Sequence, residues 1–542
     1  MLELTLATPD EEFASEDTSW LGRHLIPRWI PNSLDKANRT SKVGWPSAQT
    51  LSGWPPGKPN ETAWLDGLRG IAAFLVFTYH LHLTLFYGPA LEAPFGARIL
   101  SKDETSKSHD SNPERLWDLW RLPFLRLWMC SGHVQVSIFF VLSGFVLSWS
   151  PLEKIRQGRN EKVLAGLSSA ILRRWVRLYL PCFAIATWHL FALYVGLPDG
   201  ASEKRAQGFW AQLWDFLLAC EKFANPFLIN RNQFNAVHEY DWTMWTIPFE
   251  FSGSLLVFGL CLATARSRRY WRRSFVIALV AVYACLKAEW TFWLFASGML
   301  IANYTRHRGG FEQLTVSSDW KSKVAWSSGM LISLLLAGVP NPSDGYNRPG
   351  YEWLEYLTSA KWMKVEGGAR IWFSWSGILF IVSASHLKAV RGFFEMRPAR
   401  YLGRVSYMLY LTHRTVLTLV GEPLKRVLLA AAGRKLFIND GDGRDAFAHG
   451  AITLLLYLVI LIVIVPLVVL VAHACEVLID RPSTKLARKI DDWFTVDVKL
   501  ETGEAGDTLL PIHTKDDGAL EDEMVPLTAD MELPELDDPL KA

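Results

Sequence analysis

The chain is predicted to be all-α: a polytopic transmembrane helical bundle of about ten spans with polar cytosolic ends. Half of its 542 residues are apolar, with 25 Trp and 30 Phe, and they gather into recurring runs that approach the ~20 residues a helix needs to cross a bilayer. Lys and Arg concentrate in alternate connections between those runs, as expected of loops retained on one side of a membrane.

The apolar runs lie near 66–87, 134–150, 176–196, 243–264, 274–287, 289–303, 324–339, 370–387, 405–421 and 450–474. Mean hydropathy is only +0.12 because long connections and polar ends dilute them. Residues 1–63 are expected to be an N-terminal cytosolic segment, with a short amphipathic piece around 21–30 that fits a membrane surface as well as a loose tail. Residues 64–495 form the transmembrane domain, and 496–542 an acidic tail without the apolar periodicity needed for a core. No cleavable signal peptide is visible, so insertion is expected to begin with the first span.

Orientation follows from the basic loops. The 153–177 connection carries Lys154, Arg156, Arg159, Lys162, Arg173, Arg174 and Arg177; the 265–273 turn carries Arg266, Arg268, Arg269, Arg272 and Arg273; the 388–404 link carries Lys388, Arg391, Arg397, Arg400 and Arg404. Both termini are therefore expected in the cytosol, although Lys425, Arg426, Arg434, Lys435 and Arg444 run against the pattern near the last spans. Asn38, Asn60 and Asn303, in glycosylation sequons, fall on the cytosolic side, where they stay unmodified. The protein is thus read as integral to an endomembrane or the plasma membrane.

Net charge is +2 and says nothing about partners; none is expected among nucleic acids. Six cysteines show neither metal spacing nor a CxxC motif, and no metal site is expected. Cys182, Cys261, Cys285 and Cys475 fall in spans as packing residues. Cys130 and Cys220 both fall in expected lumenal connections, which leaves a disulfide between them open. No internal repeat is visible, against the inverted-repeat transporters.

Ionisable groups inside spans are costly and mark functional positions by default. In the first span, Asp66, Arg69 and His80 fall on one helical stripe within about 60°, whereas His82 lies roughly opposite His80. Arg69 and His80 are separated by roughly 16 Å along the axis, which places a fixed cation near one surface and a titratable base deeper in the bilayer. A neutral imidazole there can accept a proton from a hydroxyl and return one to a leaving thiolate, as acyl transfer requires. The alternatives are an interhelical hydrogen bond for His80 and a snorkelling role for Arg69.

Arg174 and Arg177, three residues apart, are neighbours on a helix surface and suit phosphate, or else simply set topology. Glu250 sits in the aromatic-rich 241–254 segment and fits either substrate positioning or an interhelical ion pair.

These pieces occur in the order found in the acyltransferase-3 family of integral membrane acyltransferases, and the chain resembles its fungal branch. LDGLRGIAAFLVFTYH (65–80), with an Arg, ten residues and a His, is similar to the family's opening motif. VSIFFVLSGFVLS (136–148), RRWVRLYLP (173–181), WTIPFEF (245–251), LGRVSYMLYLTH (402–413) and IDRP (479–482) match further blocks in order. The resemblance implies His80 as the catalytic histidine, with Arg69 its motif partner and Glu250 orienting acceptor or histidine. Arg173, Arg174 and Arg177 would then lie near the phosphates of a cytosolic acyl-CoA, a co-substrate rather than a bound cofactor. Asp66, Asp241, Trp245 and His413 are expected as substrate contacts. Ser143 and Gly144 fit close helix packing better than a nucleophile elbow.

Phe251 stands where many relatives have a second Glu, Thr243 where fungal relatives often have His, and Ser252 where they often have Arg. These departures touch the acceptor more than the reaction. The expected activity is transfer of an acyl group, acetyl first, from acyl-CoA to a hydroxyl of a small lipophilic or secondary metabolite. Transfer to cell-wall or glycolipid sugars, a proton-coupled transporter or exporter, and a non-catalytic homologue are the rival readings.

Overall fold

The computed structural model describes residues 61–86, 91–98, 115–197, 208–226, 237–316, 319–341, 346–432 and 451–502. The expected amphipathic piece at 21–30, Asn38, Asn60 and the acidic tail beyond residue 502 lie outside them. The described residues are helical and contain no strand, only isolated bridges between Arg98 and Arg115 and between His238 and Asp241.

The principal helices are α1 (Ala63–Leu85), α2 (Gly132–Arg156), α3 (Asn160–Val195), α4 (Phe209–Ala224), α5 (Thr246–Thr264), α6 (Tyr270–Lys287), α7 (Trp290–His307), α8 (Trp320–Ala337), α9 (Ala369–His386), α10 (Lys388–Phe394), α11 (Arg397–Val416), α12 (Glu422–Ala431), α13 (Ala451–Cys475) and α14 (Arg481–Thr502). Each apolar run read from the sequence coincides with one of them. Single π-helical turns, Leu417–Gly421 and Glu476–Asp480, join α11 to α12 and α13 to α14.

Five segments among the described residues are long and apolar enough to cross a membrane unaided: α1, α2, α3, Trp242–Thr264 and Leu454–Thr495. The pair α9 and α10, bent by 105°, would make a sixth if it counts as one span. The expected count of about ten is therefore not established. Helices α6, α7 and α8 have 18 residues each, and α11 carries Arg397, Arg400, Arg404 and Arg414.

Helix α1 is the axis of the packing. Its first half (Trp64, Leu65, Leu68, Ala72) belongs to a core shared with α2, α5, α7 and α9. Its second half (Ala73, Val76, Phe77, Leu81) belongs to another, built with α3, α11 and α13.

Against α11 it runs parallel and very close. A Cβ on Gly70 would collide with the backbone of Leu402 and Gly403, and one on Gly403 with the Asp66 carbonyl. Small residues of this kind let two backbones approach where lipid supplies no hydrophobic drive. The same device joins α2 to α7 antiparallel, since Gly144 faces the Phe295 carbonyl and Gly298 the Val141 carbonyl. Between α8 and α9, Ser333 and Ser376 exchange hydroxyl-to-carbonyl hydrogen bonds of 2.9 and 2.8 Å.

Two elements differ from the sequence reading. Helix α3 begins at Asn160 and has 36 residues; at about 1.5 Å per residue it exceeds the ~30 Å hydrocarbon layer. Helix α4 arises from a segment read as a connection. Its Phe216, Ala219 and Phe223 pack towards Ala186 and Tyr179, while Trp210, Trp214, Leu217 and Leu218 stay exposed. The cysteines are free: Cys130 Sγ donates to the Leu91 carbonyl at 3.2 Å, and Cys220 Sγ lies 3.6 Å from His238 Nε2. Asn303 is fully buried and hydrogen-bonded to Arg273 and Ser274, which leaves no room for a glycan.

Overpacking the contact between α1 and α11 is expected to be costly. Gly70→Val should destabilise the protein by about 1–3 kcal/mol, read as a lower unfolding temperature in detergent. Gly259→Ala, where the added Cβ meets nothing within 4 Å, should leave that temperature nearly unchanged.

Candidate active site

Two polar levels are strung along the contact between α1 and α11. At the first, the Arg69 guanidinium donates from Nε to Ser406 Oγ (3.0 Å) and from Nη2 to the Gly403 carbonyl (2.9 Å), with Asp66 Oδ1 3.7 Å away. Arg69 thus ties the two helices together. From α3, Arg174 donates to Ser254 Oγ at 2.9 Å and forms an ion pair with Glu250, which also has the Ser143 hydroxyl beside it. Arg177, one helical turn further on, is exposed although it lies among Arg174, Arg69, Asp480 and Tyr407. Three guanidiniums therefore gather at one level, two of them already bonded to α11 or to Glu250 and Arg177 exposed beside them.

About three turns along α1, the second level is built around His80. Its Nδ1 lies 2.9 Å from the Val76 carbonyl. A carbonyl only accepts, so Nδ1 carries the hydrogen and Nε2 presents a lone pair. The His413 ring is 4.8 Å from that of His80, centroid to centroid, and the Trp242 ring 5.5 Å. His413 has the same tautomer for the same reason, because its Nδ1 lies 2.6 Å from the Tyr410 carbonyl. Its Nε2 is buried without a hydrogen-bond partner. Two basic nitrogens therefore meet at one place, and that arrangement suits removal of a proton from a hydroxyl.

Behind them is a buried ion network. Asp241 is fully buried; its Oδ1 accepts from Thr243 N (2.9 Å), Thr243 Oγ1 (2.6 Å) and Arg414 Nη1 (3.3 Å), and His189 Nε2 lies 3.5 Å from Oδ2. Asp241 thereby caps the 3-10 turn Trp242–Trp245 that leads into α5. Tyr410 donates to the Thr243 carbonyl and accepts from Thr246 Oγ1 at 2.7 Å, which fixes the same turn to α11. The Arg414 guanidinium stands 5.0 Å from the Trp242 ring. Thr243, whose N–H and hydroxyl both bond Asp241, serves the cap.

The structure gathers Asp66, Arg69, Arg174, Arg177 and Glu250 at one level, and His80, His413 and Asp241 at the other. Arg173 is not among them: it turns away to pair with Asp491 of α14, 3.5 Å distant. Trp245 packs on Phe249 and Trp290 instead of reaching His80; Trp242 takes that place. Glu250 meets Arg174 and not a histidine. His82 faces the other way, hydrogen-bonded to Tyr457 at 2.8 Å. Sequence reasoning missed His189, Arg414 and Trp242. The first two carried a usable signal, being ionisable residues within apolar runs.

The acyltransferase domain of the acyltransferase-3 family matches residues 62–473. The chain belongs to this family and is a membrane-integral acyltransferase. Among curated proteins it is 28% identical to O-acetyltransferase PaAT-1 of Phomopsis amygdali over 402 residues, covering 69% of this chain and 76% of the relative. Acyltransferase clz18 of Cochliobolus lunatus is 23% identical over 425 residues, 68% of this chain and 85% of the relative. An acyltransferase of a Phoma strain is 22% identical over 66% of this chain and 83% of its own length. No solved structure matches.

The buried pair of Asp241 and Arg414 generates a stability prediction. Asp241→Ala removes the buried carboxylate that Arg414, His189 and Thr243 approach and should cost about 3–5 kcal/mol, read as unfolding temperature. Adding Arg414→Met should recover part of that loss, whereas unrelated sites would give losses that simply add.

Proposed function

We propose that the protein transfers an acyl group, acetyl first, from acyl-CoA to the hydroxyl of a small lipophilic or secondary metabolite. The observation that carries this reading is the His80 Nε2 lone pair, held by tautomer beside His413 and Trp242, about three turns along α1 from Arg69, beside which Arg174 and Arg177 of α3 stand. Arg174 and Arg177, with Arg69 behind them, hold the donor's phosphates. The pantetheine arm runs along α1 and brings the thioester to His80.

His80 Nε2 takes the proton of the acceptor hydroxyl as its oxygen attacks the thioester carbon. The tetrahedral adduct collapses, the C–S bond breaks, and the proton passes from His80 to the thiolate. Direct transfer needs no acyl-enzyme, and among the described residues the groups beside the His80 ring belong to Val76, Tyr79, Trp242 and His413 rather than to a cysteine. The expected orientation places the basic 265–269 turn, which meets the α2–α3 connection where Arg268 packs on Gly158, in the cytosol with the donor. Support for an O-linked acetyl group comes from the name of the Phomopsis amygdali relative.

The test is mass spectrometry of metabolite and glycan extracts from wild-type cells, a deletion strain and a strain carrying His80→Ala at native abundance. Acylated species should vanish from both mutants while unacylated precursors accumulate. A wild-type profile in the His80→Ala strain contradicts the assignment, and loss of export with no chemical change in the solute would mark a transporter. Replacing Arg174 and Arg177 by Gln should raise the donor KM about tenfold or more, about 1.4 kcal/mol of binding, with a smaller change in turnover.

A further inference from the structure

The second level offers two imidazole lone pairs and, among the described residues, an indole N–H with no acceptor. His80 and His413 both spend their Nδ1–H on backbone carbonyls, so neither neutral ring can donate into the space between them. Arg414 is committed to Asp241. The hydroxyls nearby, Thr243 and Tyr410, donate to Asp241 and to a carbonyl. Trp242 is different. Its ring lies 5.5 Å from that of His80, the residue is 44% exposed, and its indole N–H donates to no group among the described residues.

The geometry points to Trp242 as a catalytic residue whose indole N–H donates to the thioester carbonyl and holds the oxyanion formed when the acceptor attacks. This rests on the reading of His80 as the base. The adduct needs a hydrogen-bond donor where its negative charge develops, and one well-placed donor lowers such barriers substantially. Attack moves the carbonyl π pair onto oxygen, where Nε1–H meets it, while the hydroxyl proton goes to His80 Nε2. Collapse returns that pair to carbon, breaks the C–S bond and sends the His80 proton to sulfur.

The surroundings support a fixed donor. Asp241 caps the turn that starts with Trp242, Tyr410 fastens the same turn to α11, and the Arg414 cation over the indole face draws electron density from the ring. Withdrawal of density makes the N–H a stronger donor.

The test replaces Trp242 by its sulfur isostere benzothienylalanine, which keeps the bicyclic ring and loses the N–H, with Trp242→Phe as a second variant. Full-length protein in nanodiscs is assayed with [1-14C]acetyl-CoA and the deletion-strain extract as acceptor source. Turnover should fall about 100-fold or more while the donor KM stays within about twofold. Isotope-edited infrared spectra of bound [1-13C]acetyl-CoA should show a thioester carbonyl band at lower wavenumber in the unsubstituted protein than in the isostere. Wild-type turnover together with an unshifted band in the isostere would make Trp242 a stacking platform and overturn the proposal. The infrared arm needs no proton transfer, so a failure of His80 as base would appear as activity in His80→Ala and leave the carbonyl band to judge Trp242.

Discussion

The backbone contact between α1 and α11 governs the rest of the structure. Gly70 and Gly403 have no side chains, so the two helices run parallel at a separation that a single Cβ would forbid. At that separation Arg69 reaches the Gly403 carbonyl and Ser406, and the His80 and His413 rings meet further along. The parallel course puts both levels on one seam. In the proposed function, a donor anchored by its charged end at the first would reach the second with its reactive end. Because α1 also lies at the junction of the two hydrophobic cores, the seam is held from both sides by packing that a ligand need not supply.

The polar groups around the seam divide into those that hold and those that are left available. Asp241, Arg414, Thr243 and Tyr410 form a buried network held through Asp241 Oδ1 and the Thr243 carbonyl, whose components would be expensive alone, while Asp241 Oδ2 faces His189. Arg69 is spent on the α11 backbone. What remains presented to the space is Arg177 at one level, and at the other the two Nε2 lone pairs with the Trp242 indole. An unsatisfied buried acceptor such as His413 Nε2 costs stability in the resting protein, a cost that the proposed function explains by a hydroxyl bound there.

Much of this was legible in the sequence because membrane burial writes itself as long apolar runs, and charges inside them stand out. The one-stripe relation of Asp66, Arg69 and His80, and the opposite facing of His82, follow from helical periodicity and hold in the structure. Where periodicity lapses the reading fails. Trp242 and Trp245 sit in a 3-10 turn, to which the α-helical period does not apply, so nothing in the sequence tells which indole meets the histidine. Arg173 neighbours Arg174 in sequence but points about 100° away on the helix, towards an α14 helix that sequence reading had assigned as the end of the domain. Helix α4 escaped because its apolar face is interrupted by polar residues. The number of true spans depends on a bilayer boundary that helix formation alone does not mark.

The central claim, that one seam carries a donor from the guanidinium level to His80, is tested most directly by cryo-EM of the full-length protein in nanodiscs with a non-transferable acetyl-CoA analogue. The account predicts phosphate density against Arg174 and Arg177, the pantetheine along α1, and the carbonyl surrogate within hydrogen-bond reach of the His80 and Trp242 rings. Density for the analogue at another face of the bundle, with the space between His80 and His413 unchanged, would contradict it.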